Sequence, residues 1–148
     1  MRSGPASLLA ASLVIGCAQP RTGTTQPNNA ELCAARPDPI FGPVQLDAQA
    51  ASRRHGAAAR TYADVPATRE QPVEVCGVEA ELAWLTRVTC KDGSAPFADH
   101  DAAHAARSGS VGAGGKCGTI LDLYAVRCPE AAYAIHMDMY MCGPGERM

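Results

Sequence analysis

Seven cysteines, at positions 17, 33, 76, 90, 117, 128 and 142, constrain this 148-residue chain more than any other feature. Aromatic residues make up only 5% of it, so large side chains are too few for a generous apolar core. A chain of this length is expected to form one domain, and one with so lean a core is expected to be cross-linked. No two cysteines stand in CxxC spacing, so zinc–thiolate binding is not expected. Disulfides are the remaining use, each contributing ~2–4 kcal/mol. An odd count leaves one cysteine over, and the N-terminus indicates which.

Met1-Arg2-Ser3-Gly4-Pro5 is a short head with one basic side chain. Ala6 to Ile15 is an apolar run of ten with two serines, the length of a signal-peptide core and too short to span a bilayer. It ends Val14-Ile15-Gly16-Cys17. An aliphatic residue, a tolerant position, a small residue and then Cys, in that order after such a run, resembles the lipobox of bacterial lipoproteins. The resemblance implies a diacylglycerol thioether on Cys17, cleavage after Gly16 and acylation of the new amino group. Several acyl chains, each burying methylenes at ~0.8 kcal/mol apiece, anchor firmly where one does not. It also implies a lipid-anchored protein of the bacterial cell envelope, with the membrane as partner through Cys17. Ala18 stands where some lipoproteins carry an inner-membrane retention Asp, which favours the outer membrane, on its periplasmic or surface face. "AQPRTGTTQPNNA", residues 18–30, is too polar to fold and reads as a tether. The expected organisation is therefore a signal peptide over 1–16, a lipidated Cys and flexible tether over 17–32, and one small disulfide-rich domain over 33–148.

With Cys17 acylated, Cys33, Cys76, Cys90, Cys117, Cys128 and Cys142 remain, an even set suited to three disulfides in an oxidising compartment. Their connectivity is not readable from spacing. Acidic residues number 15 and basic residues 13, interspersed, so no nucleic-acid footprint is expected. "SVGAGGKC", residues 110–117, departs from the phosphate-binding GxxxxGK[ST] pattern at Ser110 and Cys117 and reads as a solvated glycine loop. No cofactor is expected.

The coarse pattern is α+β: a small antiparallel sheet with one or two short helices, disulfide-stapled. Residues 46–60 are rich in helix formers, with Asp47 as N-cap and Gly56 as a weak point. Residues 99–107 read as a short helix with Asp99 near its cap. Residues 72–90 fit either period. As a helix, Glu74 and Glu81 fall in the apolar stripe. As a strand, Val78, Ala80, Leu82, Trp84 and Val88 share one parity and Glu79, Glu81 and Arg87 the other, so a strand over 78–90 is expected. "TILDLYAVRC" and "AYAIHMDMYMC" alternate and read as a hairpin over 119–142. Its expected apolar face joins Leu121, Leu123 and Ala125 to Ile135, Met137, Met139 and Met141. The stretch 73–145 is similar to segments of uncharacterised predicted bacterial lipoproteins, a resemblance that carries no activity.

Chemistry-bearing residues are sparse. His100 and His104 stand at helical i, i+4 spacing and could face one metal. Asp122 and Asp138, with His136 between them in sequence, would share the polar face of the hairpin. Two facing carboxylates repel, so that face would need a cation, a hydroxyl or a raised pKa. These five residues are the metal or acid–base candidates. No nucleophile with a base at motif spacing stands out, so no catalytic residue is assigned. The leading expectation is a non-enzymatic binding or structural module on a lipid tether; the alternative is an envelope metal-binding protein or hydrolase using the Asp122/His136/Asp138 face. The cysteine arithmetic is directly checkable: a form lacking residues 1–17 should titrate no free thiol under denaturing conditions before reduction and six afterwards.

Overall fold

The computed structural model describes Met1 and residues 29–39 and 41–148. The signal peptide, the lipobox with Cys17 and most of the tether lie outside the described residues. The elements are α1 (Asn29–Ala34), β1 (Val44–Gln45), α2 (Ala48–Ser52), a 3₁₀ turn (Tyr62–Asp64), β2 (Val73–Glu74), α3 (Val78–Arg87), α4 (His100–Ala105), β3 (Arg107–Gly114), β4 (Thr119–Arg127), β5 (Ala132–Asp138) and β6 (Met141–Cys142). Helix α1 begins inside the stretch expected to be tether, so the boundary placed at residue 33 falls within it. Among the described residues, no helix is long and apolar enough to cross a membrane.

The fold is α+β, as expected, but the sheet is assembled differently. Its order is β2-β5-β4-β3, with β4 antiparallel to both neighbours and β2 parallel to β5. A separate two-stranded ribbon pairs β1 parallel to β6. The 119–142 hairpin is present as β4 and β5. Asp47 caps α2, accepting from the Ala50 N–H at 2.7 Å, and Asp99 caps α4, accepting from the Ala102 N–H at 2.9 Å. Helix α2 is shorter than the sequence suggests: the chain turns at Gly56, whose φ of 81° is left-handed.

The strand expected over 78–90 is a helix, α3. Leu82 and Leu85 on one side and Trp84 beside them enter the core, and Val88 follows just past the end. Val78, placed inward by a strand reading, is 41% exposed. Acids in the first turn (Glu79, Glu81) and Arg87 in the last complement the helix dipole. The glycine segment 109–118, expected to be a loop, is largely strand β3, paired to β4 through two register shifts. Gly109 and Gly112, with positive φ, lie at those shifts. Gly114 packs so tightly that a Cβ would collide with Leu121 and the Arg69 carbonyl.

The main core lies between α3 and one face of the sheet: Leu82, Leu85 and Val88 against Tyr124, Val126, Ile135 and Met137. Tyr62 joins it edge-on to Trp84 with centroids 5.7 Å apart, its hydroxyl donating to the Leu85 carbonyl. Val44, Leu46 and Met141 form a second, smaller cluster. Of the methionine series, Met137 fills the main core, Met141 the small cluster, and Met139 packs partly buried on the former.

The six cysteines pair as Cys33–Cys117, Cys76–Cys142 and Cys90–Cys128, with Cα separations of 5.2, 4.6 and 5.5 Å. Cys76 lies just before α3 and Cys90 just after it, so the helix is tied to the sheet side at both ends.

The assignment of α3 reverses two positions, because a strand over 78–90 would turn Val78 inward and Leu85 to the side of Glu79, Glu81 and Arg87. Leu85→Ala should cost ~2–5 kcal/mol in denaturant unfolding, since the side chain is fully buried. Val78→Ala should shift stability by no more than ~0.5 kcal/mol. A large loss at Val78 would return the segment to the strand reading.

Candidate functional site

The hairpin register decides which polar groups meet. Asp122 pairs across β4–β5 with Met137 and Tyr124 with Ile135. Cross-strand partners share a face, so Asp122 and Tyr124 point towards α3 with the core residues. Leu121 and Leu123 point to the other face, with His136 and Asp138. This corrects the expected apolar face: Ile135 and Met137 lie with Asp122 and Tyr124, not with Leu121 and Leu123. It also separates Asp122 from Asp138, which project to opposite sides of the sheet. The reason is that β4 is a central strand buried on both faces, Thr119 and Leu121 as completely as Tyr124, so alternation alone could not choose its inner side.

Two buried acid sites result. On the α3 side, Glu81 is fully buried. Its Oε2 accepts from the Tyr124 hydroxyl at 2.9 Å, and its Oε1 has no hydrogen-bond partner in the protein. Beside it, Asp122 is gripped by Arg107, whose Nε and Nη2 donate to the two carboxylate oxygens at 2.7 and 2.6 Å. The Ser110 hydroxyl adds a third donor at 2.9 Å. Arginine thus goes to Asp122, and Glu81 has only a phenol. Burial first, then the Asp122 charge, push the Glu81 carboxyl from 4.5 to about 8, against smaller lowering by Tyr124 and Arg107. Glu81 is a neutral acid at neutral pH, and its protonated oxygen removes the cost of burying a charge.

On the opposite face, Asp138 is fully buried, accepting from the Thr119 hydroxyl at 2.6 Å and the Tyr140 N–H at 3.1 Å. Its register partner on β2 is Glu74, which Lys116 bridges at 2.9 Å. Burial, reinforced by Glu74, raises Asp138 to about 6, while the Thr119 and Tyr140 bonds and Lys116 act in the lowering direction.

The histidine candidates do not join either site. His100 and His104 are exposed on α4, and His100 Nδ1 lies 3.7 Å from Glu79 Oε2, itself exposed. His136 is half-buried, its Nδ1 3.0 Å from the Ala67 carbonyl oxygen, which also accepts its backbone N–H. Among the described residues, the one group of His, Cys, Asp and Glu close enough to share a metal is Cys90, Cys128 and Glu130, and its two sulfurs are bonded to each other. Glu81 was missed by sequence reasoning because charge was taken to exclude it from a buried stripe. The available signal was Leu82, Trp84 and Leu85 at helical offsets around it.

The carboxyls of Glu81 and Asp138 are sealed in the interior. Three clefts open on the surface: one of ~520 Å³ along Thr86, Asp99 and His100, one of ~370 Å³ along Arg53, His55 and Asp64, and one of ~250 Å³ beside Trp84, which Glu74 borders. Comparison of the chain with protein-family models, curated proteins and solved structures finds no match.

The protonation of Glu81 has a signed consequence. Because its folded pKa is raised, the folded state holds a proton that the unfolded chain releases above about 4.5. Stability from this group is full below that pH and falls as pH rises to about 8. Glu81→Gln, which keeps an acceptor for Tyr124 without the charge, should melt like the parent near pH 4.5 and progressively higher than it towards pH 8–9. Parallel melting curves across that range would show that the carboxyl is not held neutral.

Proposed function

We propose that this chain is a lipid-anchored protein of the bacterial cell envelope, delivered by residues 1–16, acylated at Cys17 and carrying a small non-enzymatic binding or structural module on a tether. The observation that carries this reading is the cysteine balance. The six cysteines beyond the lipobox are all consumed in pairs, and the one left over is the one at the lipobox position. A domain stapled three times suits an oxidising compartment, and Cys17 needs no thiol partner if it carries lipid. The signal-peptide length and the order of residues 14–17 support the same address.

A non-enzymatic role is supported by how the acids are used. Glu81 and Asp138 are sealed in the interior, and Asp122 has its oxygens occupied by Arg107 and Ser110. The alternative, a metal-binding protein or hydrolase built on Asp122, His136 and Asp138, needs those three on one face, and Asp122 lies on the other.

Expressed in a bacterial host, the chain should partition with membranes and label with a fatty-acid probe. Cys17→Ser should abolish the label and release the protein into the soluble envelope fraction. Unchanged labelling in that variant would remove the lipoprotein reading.

A further inference from the structure

The three bridges are not equivalent in their surroundings. Cys76 and Cys142 are both buried, and Cys90 is 1% exposed opposite a half-buried Cys128. Cys33–Cys117 is the bridge with both half-cystines partly exposed. It joins the β3–β4 turn to α1, a six-residue helix with no buried residue. So short a helix is not stable alone in water. Of its apolar side chains, Leu32 is partly buried on the small cluster, and Arg36 just past the helix reaches the bridge.

Arg36 grips both ends of the bridge. Its Nε donates to the Cys33 carbonyl at 3.2 Å and its Nη2 to the Cys117 carbonyl at 3.1 Å. Its Nη1 is buried and has no hydrogen-bond partner. A disulfide sulfur is a poor acceptor, whereas a thiolate is a charged one, so a guanidinium bonded to the carbonyls of both half-cystines favours the reduced state of this pair.

We propose that Cys33–Cys117 is a reversible redox latch that fastens α1 to the body of the domain and opens ahead of the two core bridges. The reaction is thiol–disulfide exchange with an envelope dithiol. One thiolate of the dithiol attacks a latch sulfur, the other latch sulfur leaves as thiolate, and the second thiol of the reductant closes its own disulfide. Two electrons pass to the protein, whose two sulfurs end as thiols or thiolates. On the reading that residues 17–32 tether the domain to a membrane, opening lets out residues 33–43 up to β1 and adds up to ~35 Å of reach.

The test uses the Cys17→Ser chain, which has no lipid and no unpaired thiol. Under native conditions it is equilibrated in dithiothreitol buffers of graded reducing strength, alkylated and mapped by peptide mass. Cys33 and Cys117 should become alkylated at ~10-fold lower dithiol than the other four cysteines. Another bridge opening first, or all three together, overturns the latch. In the Cys33→Ser/Cys117→Ser variant of that chain, hydrogen exchange should show the α1 amides ~10-fold or more less protected, with β4 and β5 unchanged. Undiminished protection of α1, or joint loss in β4 and β5, overturns the proposal that this bridge fastens a separable segment. These readouts do not depend on Cys17, so a failed lipid label and a failed latch are distinct results.

Discussion

Helix α3 and the two bridges at its ends are what the rest of the fold depends on. Ten residues do not hold a helix in water by propensity alone. Here Cys76–Cys142 fixes the approach to its N-terminus and Cys90–Cys128 the exit from its C-terminus. Between them Leu82, Trp84 and Leu85 cover the sheet. The loops on either side are then fastened to the helix: the Trp84 indole N–H donates to the Gly56 carbonyl at 2.8 Å, and Arg87 to that of Ala59 at 2.8 Å. The chain between α2 and β2, regular only at the 3₁₀ turn Tyr62–Asp64, is thereby fastened to side chains of α3.

The price of that packing is a glutamate in the interior. Two carboxyls, Glu81 and Asp122, face one guanidinium from adjacent elements, and geometry assigns the guanidinium to Asp122 by two bonds. With Arg107 committed, the Glu81 site is stable with a proton and unstable with a charge. The same logic appears on the far face of the sheet, where Asp138 and Glu74 are neighbours across β2–β5 and Lys116 is committed to Glu74. Acids with raised pKa are common at catalytic centres, but Glu81 and Asp138 are sealed in the interior. Here they serve packing, and they make the fold a better proton binder than its unfolded chain.

What was legible in the sequence was local. The N-caps Asp47 and Asp99, the alternation of 119–142 and the parity of the cysteine count each depend on residues a few positions apart, or on a tally, and the structure agrees with them. What was not legible depended on partners distant in sequence. Glu81 seemed to forbid a helix because its partner, Tyr124, lies on β4. The glycines of 109–118 seemed to forbid a strand, yet β4 supplies the pairing that their composition cannot, and their missing Cβ atoms allow the bulges and the close approach of Gly114 to Leu121. Asp122 and Asp138 are both buried, but they do not face each other. Their separation to opposite faces followed from a register that two equally alternating strands leave open.

The turn that carries Cys117 is held from the body side independently of its bridge. Gly115 donates to the Arg69 carbonyl at 2.8 Å, Lys116 pairs with Glu74 at 2.9 Å, and Thr119 bonds Asp138 at 2.6 Å. The partner side is a short helix with no buried residue: α1 offers Leu32 to a small cluster, and Arg36, just past it, donates to carbonyls that belong partly to its own segment. Cutting such a bond therefore moves the two sides unequally. The turn keeps three contacts that do not involve sulfur, one of them to a carboxyl sealed in the interior, while α1, which buries no residue, loses its cross-link to the body. A cross-link between a rigid site and a weakly held one governs the position of the weak side alone, which distinguishes Cys33–Cys117 from the two bridges that bracket α3.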